Sequence, residues 1–178
     1  MSRVRVPVSV GFPPVADAHA RVLVLGSLPG RKSLQMHEYY AQPYNAFWRI
    51  MGALFGADAL LAYEARLAKL RAHGIAVWDV LAAGEREGSL DSAIVTSTIV
   101  VNDFNEFFAR HAEIRTICFN GNTAAGLYRR KVLPRLDAPY ASLATQVLPS
   151  TSPAYASLRF EQKLDRWAAA LRPLLAKP

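Results

Sequence analysis

The stretch Val22-Leu23-Val24-Leu25-Gly26-Ser27-Leu28-Pro29-Gly30 decides how the chain folds. Four β-favouring apolar residues in succession read as a buried strand, and Gly-x-x-Pro-Gly closes it in a sharp turn. Glycine has no Cβ, so the backbone of such a turn can come close to a ligand. Shortly afterwards the chain runs Tyr39-Tyr40-Ala41-Gln42-Pro43-Tyr44-Asn45-Ala46-Phe47-Trp48, an aromatic shelf that carries one amide. A tight turn, a stacking surface and an asparagine together imply a pocket for a flat polar ring such as a nucleobase.

Further strands follow at Ile75–Val80, Ile114–Phe119 and Ala144–Leu148, with helical stretches between them. Asn45 precedes a helical pattern of Phe47, Ile50, Met51 and Leu54 that stops at Gly56. A second helix is predicted from Asp58 to Ala72, with Gly74 at its end, and a short one over Asn102–His111 with Asp103 near its start. Gly84–Ser89 reads as a polar loop, Thr123–Lys131 as a short helix, and Ala156–Leu171 as an amphipathic closing helix. This alternation predicts an α/β fold, a three-layer α/β/α sandwich with a central, mostly parallel four-stranded sheet. The 178 residues suffice for a single domain spanning 1–178 with a full core. Residues 1–20 form an extended lead-in, where Pro7, Pro13 and Pro14 oppose helix.

The layout already places a site. In open α/β sheets, ligands bind beyond the carboxyl ends of the strands. The four strands end in Ser27–Gly30, Trp78-Asp79, Asn120–Asn122 and Ser150–Pro153, all polar or glycine-containing, and these segments should meet at one edge.

Composition narrows the function classes. A formal charge of +7 and a pI near 9.9 favour a polyanionic partner, with an ordinary solubilising surface as the alternative. No apolar run approaches the ~20 residues needed to span a bilayer. The first residues lack a signal peptide's continuous apolar stretch, so a cytoplasmic protein is expected. Cys118 is the only cysteine, which rules out an intramolecular disulfide and a cysteine-held zinc or iron–sulfur site. His19, His37, His73 and His111 show no metal-ligand spacing, and neither a Walker loop nor a Ser-His-Asp arrangement is present. No metal and no cofactor are expected.

Individual residues admit two readings each. Asn45 can cap the helix beginning at Ala46, or it can face a ligand. Phe47 and Trp48 are adjacent and cannot share one helix side, so one should pack in the core. Tyr40, just before a Gln-Pro turn, is the better stacking residue. Asp79 can cap a loop or accept hydrogen bonds from a ring, Asn120-Gly121 can be a turn alone, and Ser150–Pro153 can be an ordinary capped loop.

Read together, these segments resemble the uracil-DNA glycosylase superfamily over Val22 to Trp167. Tyr40 to Trp48 is similar to the aromatic-Ala-x-Pro-x-Asn-x-Phe-Trp segment of the mismatch-specific uracil glycosylases. The hypoxanthine-DNA glycosylase branch looks nearer still. Its pattern is matched by Gly26–Gly30 with Ser33-Leu34, Tyr39-Tyr40, Asn45–Trp48, Trp78-Asp79-Val80 and Gly88-Ser89-Leu90-Asp91-Ser92. Asn102-Asp103-Phe104, Phe119-Asn120-Gly121 and Leu148–Pro153 complete it. The mismatch-specific branch carries a water-positioning asparagine where this chain has Leu28, and a leucine cannot orient water. The chain also departs from both branches at Gln42, where His is common, and at Tyr44, where Arg is frequent.

The resemblance implies a monofunctional glycosylase that hydrolyses the N-glycosidic bond of a flipped, deaminated base, hypoxanthine or uracil. Alternatives are a mismatch-specific uracil or thymine glycosylase, or a DNA-binding member without turnover. It implies that Asn45 is the catalytic, water-positioning residue. Gly26, Ser27, Leu28, Tyr40, Phe47, Asp79 and Asn120 would bind the base, with Tyr40 stacking on it. Pro29, Gly30, Ser150, Thr151, Ser152 and Pro153 would contact DNA. The expected partner is DNA with a damaged base, met by a monomer, with no membrane involved. Such chemistry suits the residues, because a departing base needs hydrogen-bond donors and a positioned water rather than a strong nucleophile.

Overall fold

The computed structural model describes residues 7–176, and the predicted strand Val22–Gly26 lies at its centre as β2, after a short β1 at Val8–Val10. All five residues of β2 are buried, as its unbroken apolar run requires of a strand covered on both faces. It pairs in parallel with β3 (Ile75–Asp79) on one side and β6 (Thr116–Asn120) on the other, and β7 (Ala144–Leu148) lies outside β6. The order β3-β2-β6-β7 is parallel throughout, so the predicted mostly parallel sheet contains no antiparallel strand. Helices cover both sides. They are α1 (Arg31–Met36), α2 (Phe47–Phe55), α3 (Tyr63–Ala72), α4 (Phe104–Arg110), α5 (Asn122–Leu127), α6 (Ala138–Ala141) and α7 (Phe160–Leu175).

Register brings the strand ends level. Gly26 sits opposite Asp79, Leu25 opposite Phe119, and Asn120 opposite Leu148. Two backbone bonds continue the pairing past β3: Val80 N–H donates to the Gly26 carbonyl at 2.9 Å and Leu81 N–H to that of Ser27 at 3.0 Å. The first turn is therefore held in place before any side chain acts.

The chain then departs from the sequence expectation. Gly84 lies not in a polar loop but in a strand, β4 (Leu81–Glu85), which pairs antiparallel with β1 and with β5 (Val100–Val101) in a second, three-stranded sheet. Val8–Val10 of the extended lead-in supplies one edge of that sheet, while residues 1–6 of the lead-in lie outside the described residues. β4 shows little alternation because Leu81 and Gly84 pack inward and Ala82, Ala83 and Glu85 are only half buried. α1 was not anticipated. α3 and α7 start several residues later than predicted: α3 at Tyr63, because the Asp58 side chain accepts from Leu60 N–H in a separate turn, and α7 at Phe160, after the turns that follow Pro153. α5 runs on into a wider turn at Tyr128–Val132. No helix among the described residues is long and apolar enough to cross a membrane.

Candidate active site

The strand ends enclose a cleft of about 1050 Å³ at the carboxyl edge of the parallel sheet. Gly26 to Gly30, Tyr40, Asn45, Asp79, Asn120 and Ser150 to Pro153 all line it. Gly26 is required there by space. A Cβ on it would lie 2.4 Å from Asp79 Oδ1 and 3.2 Å from the Tyr40 hydroxyl, so only a glycine lets these two side chains reach the floor. Gly121 is required by conformation as well, with φ at +95° and its Cβ direction 3.0 Å from Ser150.

One wall is aromatic. Tyr40 stacks on Phe47 with ring centroids 4.0 Å apart and planes inclined by 26°. Phe47 is fully buried and does not line the cleft, which corrects its expected contact with the base; it backs the Tyr40 ring instead. Trp48 is buried too, so the adjacent pair sends both rings inward, and its indole N–H donates to the Tyr39 carbonyl at 2.8 Å. Tyr40 itself holds a positive φ of 54°, uncommon for a tyrosine, and its hydroxyl is buried without a hydrogen-bond partner. Burial and the nearby Asp79 carboxylate push that phenol well above its usual range.

Asn45 stands where the aromatic wall meets the opposite loop. Its Oδ1 accepts from Phe47 N–H at 2.9 Å in a turn that leads into α2, but the helix N-cap is Ala46, without a side-chain capping bond, so Asn45 is not the cap that one reading of the sequence offers. A carbonyl oxygen has two lone pairs, and one remains for a second donor in the cleft. The next residue ties two loops together, with Ala46 N–H donating to the Thr151 carbonyl at 2.9 Å. Thr151 lines the cleft but is 1% exposed, and it clasps the site from within. Its N–H donates to Asn120 Oδ1 and its hydroxyl accepts from Asn120 Nδ2, both at 2.8 Å. Most of the Asn120 amide is therefore spent on the loop. From below, α7 steadies the same loop: the Trp167 indole donates to the Pro149 carbonyl at 2.9 Å, and Lys163 Nζ to that of Ser152 at 3.3 Å.

A charged network lies under the first turn. Arg86, 2% exposed, donates to the carbonyls of Leu28 (3.2 Å) and Pro29, and its guanidinium stands 3.7 Å from Asp91. Asp91 in turn accepts from the Ser27 hydroxyl at 2.6 Å. Asp79 is buried close by, with its Oδ2 lacking a partner. Burial first, then the Asp91 carboxylate, push the Asp79 carboxyl up to about 7, with Arg86 opposing the rise. An unpartnered buried acid whose protonation changes near neutral pH is the electrostatic signature of a functional position.

That shift has a consequence for stability. A carboxyl raised in the fold binds more protons folded than unfolded between the ordinary aspartate value and about 7. Its contribution is therefore full below pH ~4 and falls away as pH rises to about 7, after which it stays flat. Asp79→Asn removes this loss. The variant should melt several degrees above the parent at pH 8 and close to it at pH 4.5; equal gaps at both pH values would show that Asp79 ionises freely.

Of the residues expected at the site, all but Phe47 line the cleft, and Thr151 does so only as part of its buried frame. Sequence reasoning missed Arg86, Asp91, Lys163, Trp167 and the two cations Lys32 and Arg166 at the cleft margin. The one available signal was the Gly88–Ser92 segment, which matched the family pattern without suggesting a role. The others look like ordinary strand and helix residues until the fold places them.

Comparison with known proteins gives a consistent picture. The family described as the uracil DNA glycosylase superfamily matches residues 13–175. A hypoxanthine DNA glycosylase from Methanosarcina acetivorans is 40% identical over 164 residues, covering 91% of this chain and 97% of the relative. One from Methanosarcina barkeri is 41% identical over 112 residues, 62% of this chain and 70% of the relative. The solution NMR structure of a Methanosarcina acetivorans protein, provisionally assigned as a uracil DNA glycosylase, superposes with a TM-score of 0.76 at 37% identity. It spans 94% of this chain and 99% of that one.

Proposed function

The chain belongs to the uracil-DNA glycosylase superfamily, and on that premise we propose that it is a monofunctional DNA glycosylase that releases hypoxanthine from DNA. The observation that supports this reading is that a neutral amide, Asn45, and a backed aromatic ring, Tyr40, line one cleft at the strand ends. Its relatives' activity supplies the base, as both are named for hypoxanthine.

A base inside a duplex cannot reach such a cleft, so the target nucleotide is extruded at a cost of a few kcal/mol. Stacking on Tyr40, worth roughly 1–3 kcal/mol for a base on an aromatic ring, offsets part of this cost. Phe47 behind Tyr40 keeps the ring in position. Lys32 and Arg166 at the margin attract backbone phosphates, and Ser150, Ser152, Pro153, Pro29 and Gly30 follow the strand past the opening. Asn45 aligns a water through the free lone pair of its Oδ1, aimed at the sugar carbon that loses the base. As the bond to the base breaks, positive charge grows on the sugar and negative charge on the base. Asp79, titrating near 7, can donate to an acceptor on the base edge when protonated or accept from a ring N–H when ionised.

The test is a cleavage assay on end-labelled duplexes carrying one hypoxanthine or one uracil, followed by alkali to cut abasic sites. Alkali-dependent cuts at hypoxanthine are expected. Cuts at uracil alone would move the protein to the mismatch-specific branch, and no cut with duplex binding intact would make it a binding protein without turnover.

A further inference from the structure

Tyr40 holds its left-handed backbone conformation, φ 54°, in a turn outside any helix. A bulky residue persists there only where its surroundings over-determine it. The surroundings do so here. On one side of Tyr40, the Trp48 indole N–H donates to the Tyr39 carbonyl at 2.8 Å. On the other, Ala41 N–H donates to the Ser33 hydroxyl at 3.1 Å. With both flanking peptide planes held, the two soft dihedrals between them are fixed. One peptide further back, Tyr39 N–H donates to the Tyr63 hydroxyl at 2.9 Å. Ser33, Trp48 and Tyr63 come from α1, α2 and α3, so three helices converge on one dipeptide. Two of them brace each other. The Tyr63 ring meets Trp48 edge-on with centroids 6.0 Å apart, and the Arg66 guanidinium lies over both rings, at 4.6 Å from Trp48 and 5.1 Å from Tyr63.

Resting on the glycosylase reading above, we propose that Ser33, Trp48 and Tyr63 are positioning residues for base release, a clamp on the backbone around Tyr40. By fixing that backbone they hold the Tyr40 ring against Phe47 and set the face on which the extruded base stacks. The direction of a side chain follows its backbone dihedrals. Loosening the clamp lets the strained φ relax and carries the ring off Phe47. A stacking face that must first be ordered then gives up part of what stacking contributes, because immobilising a side chain on binding opposes the binding.

Trp48 is buried in the core, so the test uses Ser33→Ala and Tyr63→Phe, each of which removes one hydroxyl. Single-turnover release of hypoxanthine from duplex DNA should be measured for the parent, both variants and their combination, and again for each with Tyr40→Ala added. The combined variant should release the base about tenfold more slowly, the size of one lost base–aromatic stack, and this difference should vanish once Tyr40 is alanine. Ser33 lines the cleft, so a direct effect of its hydroxyl on DNA would persist without the Tyr40 ring, as would a general loosening of the fold. Without DNA, nuclear Overhauser contacts between the Tyr40 and Phe47 rings should weaken in the combined variant. Should that variant not fold, Tyr63→Phe alone is read in the same way. A parental rate, unchanged ring contacts, or slowing that persists beside Tyr40→Ala would overturn the clamp. Failure of the parent to release hypoxanthine, with the ring contacts weakened as expected, would instead overturn the glycosylase reading.

Discussion

Replacing Asn45 with alanine is expected to slow base release by about 100-fold or more, the cost of losing the alignment of a reacting group, while leaving DNA affinity nearly unchanged. The amide lines the same cleft as Tyr40 and the Ser150–Pro153 loop, and its Oδ1 retains a free lone pair. On the proposed reading, affinity rests on other groups, namely the cations at the cleft and the Tyr40 face. Because Oδ1 also accepts from Phe47 N–H, the variant loses a turn hydrogen bond worth about 1 kcal/mol. That corresponds to a fall of about 2–4 °C in melting temperature for a domain of this size, too little to explain a hundredfold slower reaction. Single-turnover rates, duplex binding and a melting curve on one preparation separate the effects. An unchanged rate beside a lowered melting temperature would leave Asn45 as a turn-forming residue and nothing more.

Arg86→Met should produce a large loss of stability. The guanidinium is buried, holds the Leu28 and Pro29 carbonyls, and faces Asp91, whose side chain is 35% exposed. Removing one partner of a buried ion pair costs about 3–5 kcal/mol, and the partial exposure of Asp91 places this case near the lower figure. A fall of roughly 6–12 °C in melting temperature follows, at about 2–4 °C per kcal/mol. The same change removes the charge that restrains Asp79, so the carboxyl should rise beyond about 7 and the fall in stability with pH should extend to more alkaline values. Arg86→Lys keeps a cation but cannot reach both carbonyls in fork geometry, so it should recover the Asp79 titration more fully than the melting temperature. Thermal denaturation across pH 5–9 checks both points; a methionine variant as stable as the parent would show that the turn is held by its backbone bonds alone.

Much of the molecule could be read along the chain. Val22–Gly26 and Ala144–Leu148 have the bounds their apolar patterns predicted, and Asp103 caps its helix through Glu106 N–H. These features are local: a run of β-favouring residues or a side chain three positions before a free amide needs no distant partner to be recognised. The site was legible for a related reason. Strand ends in a parallel sheet fall on one edge whatever the loops do, so Gly26, Asp79, Asn120 and Ser150 could be placed together before any contact was known.

Other features depended on packing across the fold. β4 pairs with two segments far from it in the chain, and its half-buried, glycine-containing pattern carries no period that would mark a strand. The burial of both Phe47 and Trp48 follows from Tyr40 covering one ring and the Tyr39 carbonyl receiving the other. Thr151 looked like an exposed loop residue until Asn120 and Ala46 closed around it. Arg86 is the clearest case, since a single arginine after a strand becomes a structural cation only where two carbonyls and a carboxylate surround it in three dimensions. By itself, then, the sequence determined the strands, the shared edge and the chemistry available there. The tertiary structure alone decided which polar groups are spent on holding the loops and which remain free for a ligand, because hydrogen-bond satisfaction in a buried site depends on partners that are adjacent in space and not along the chain.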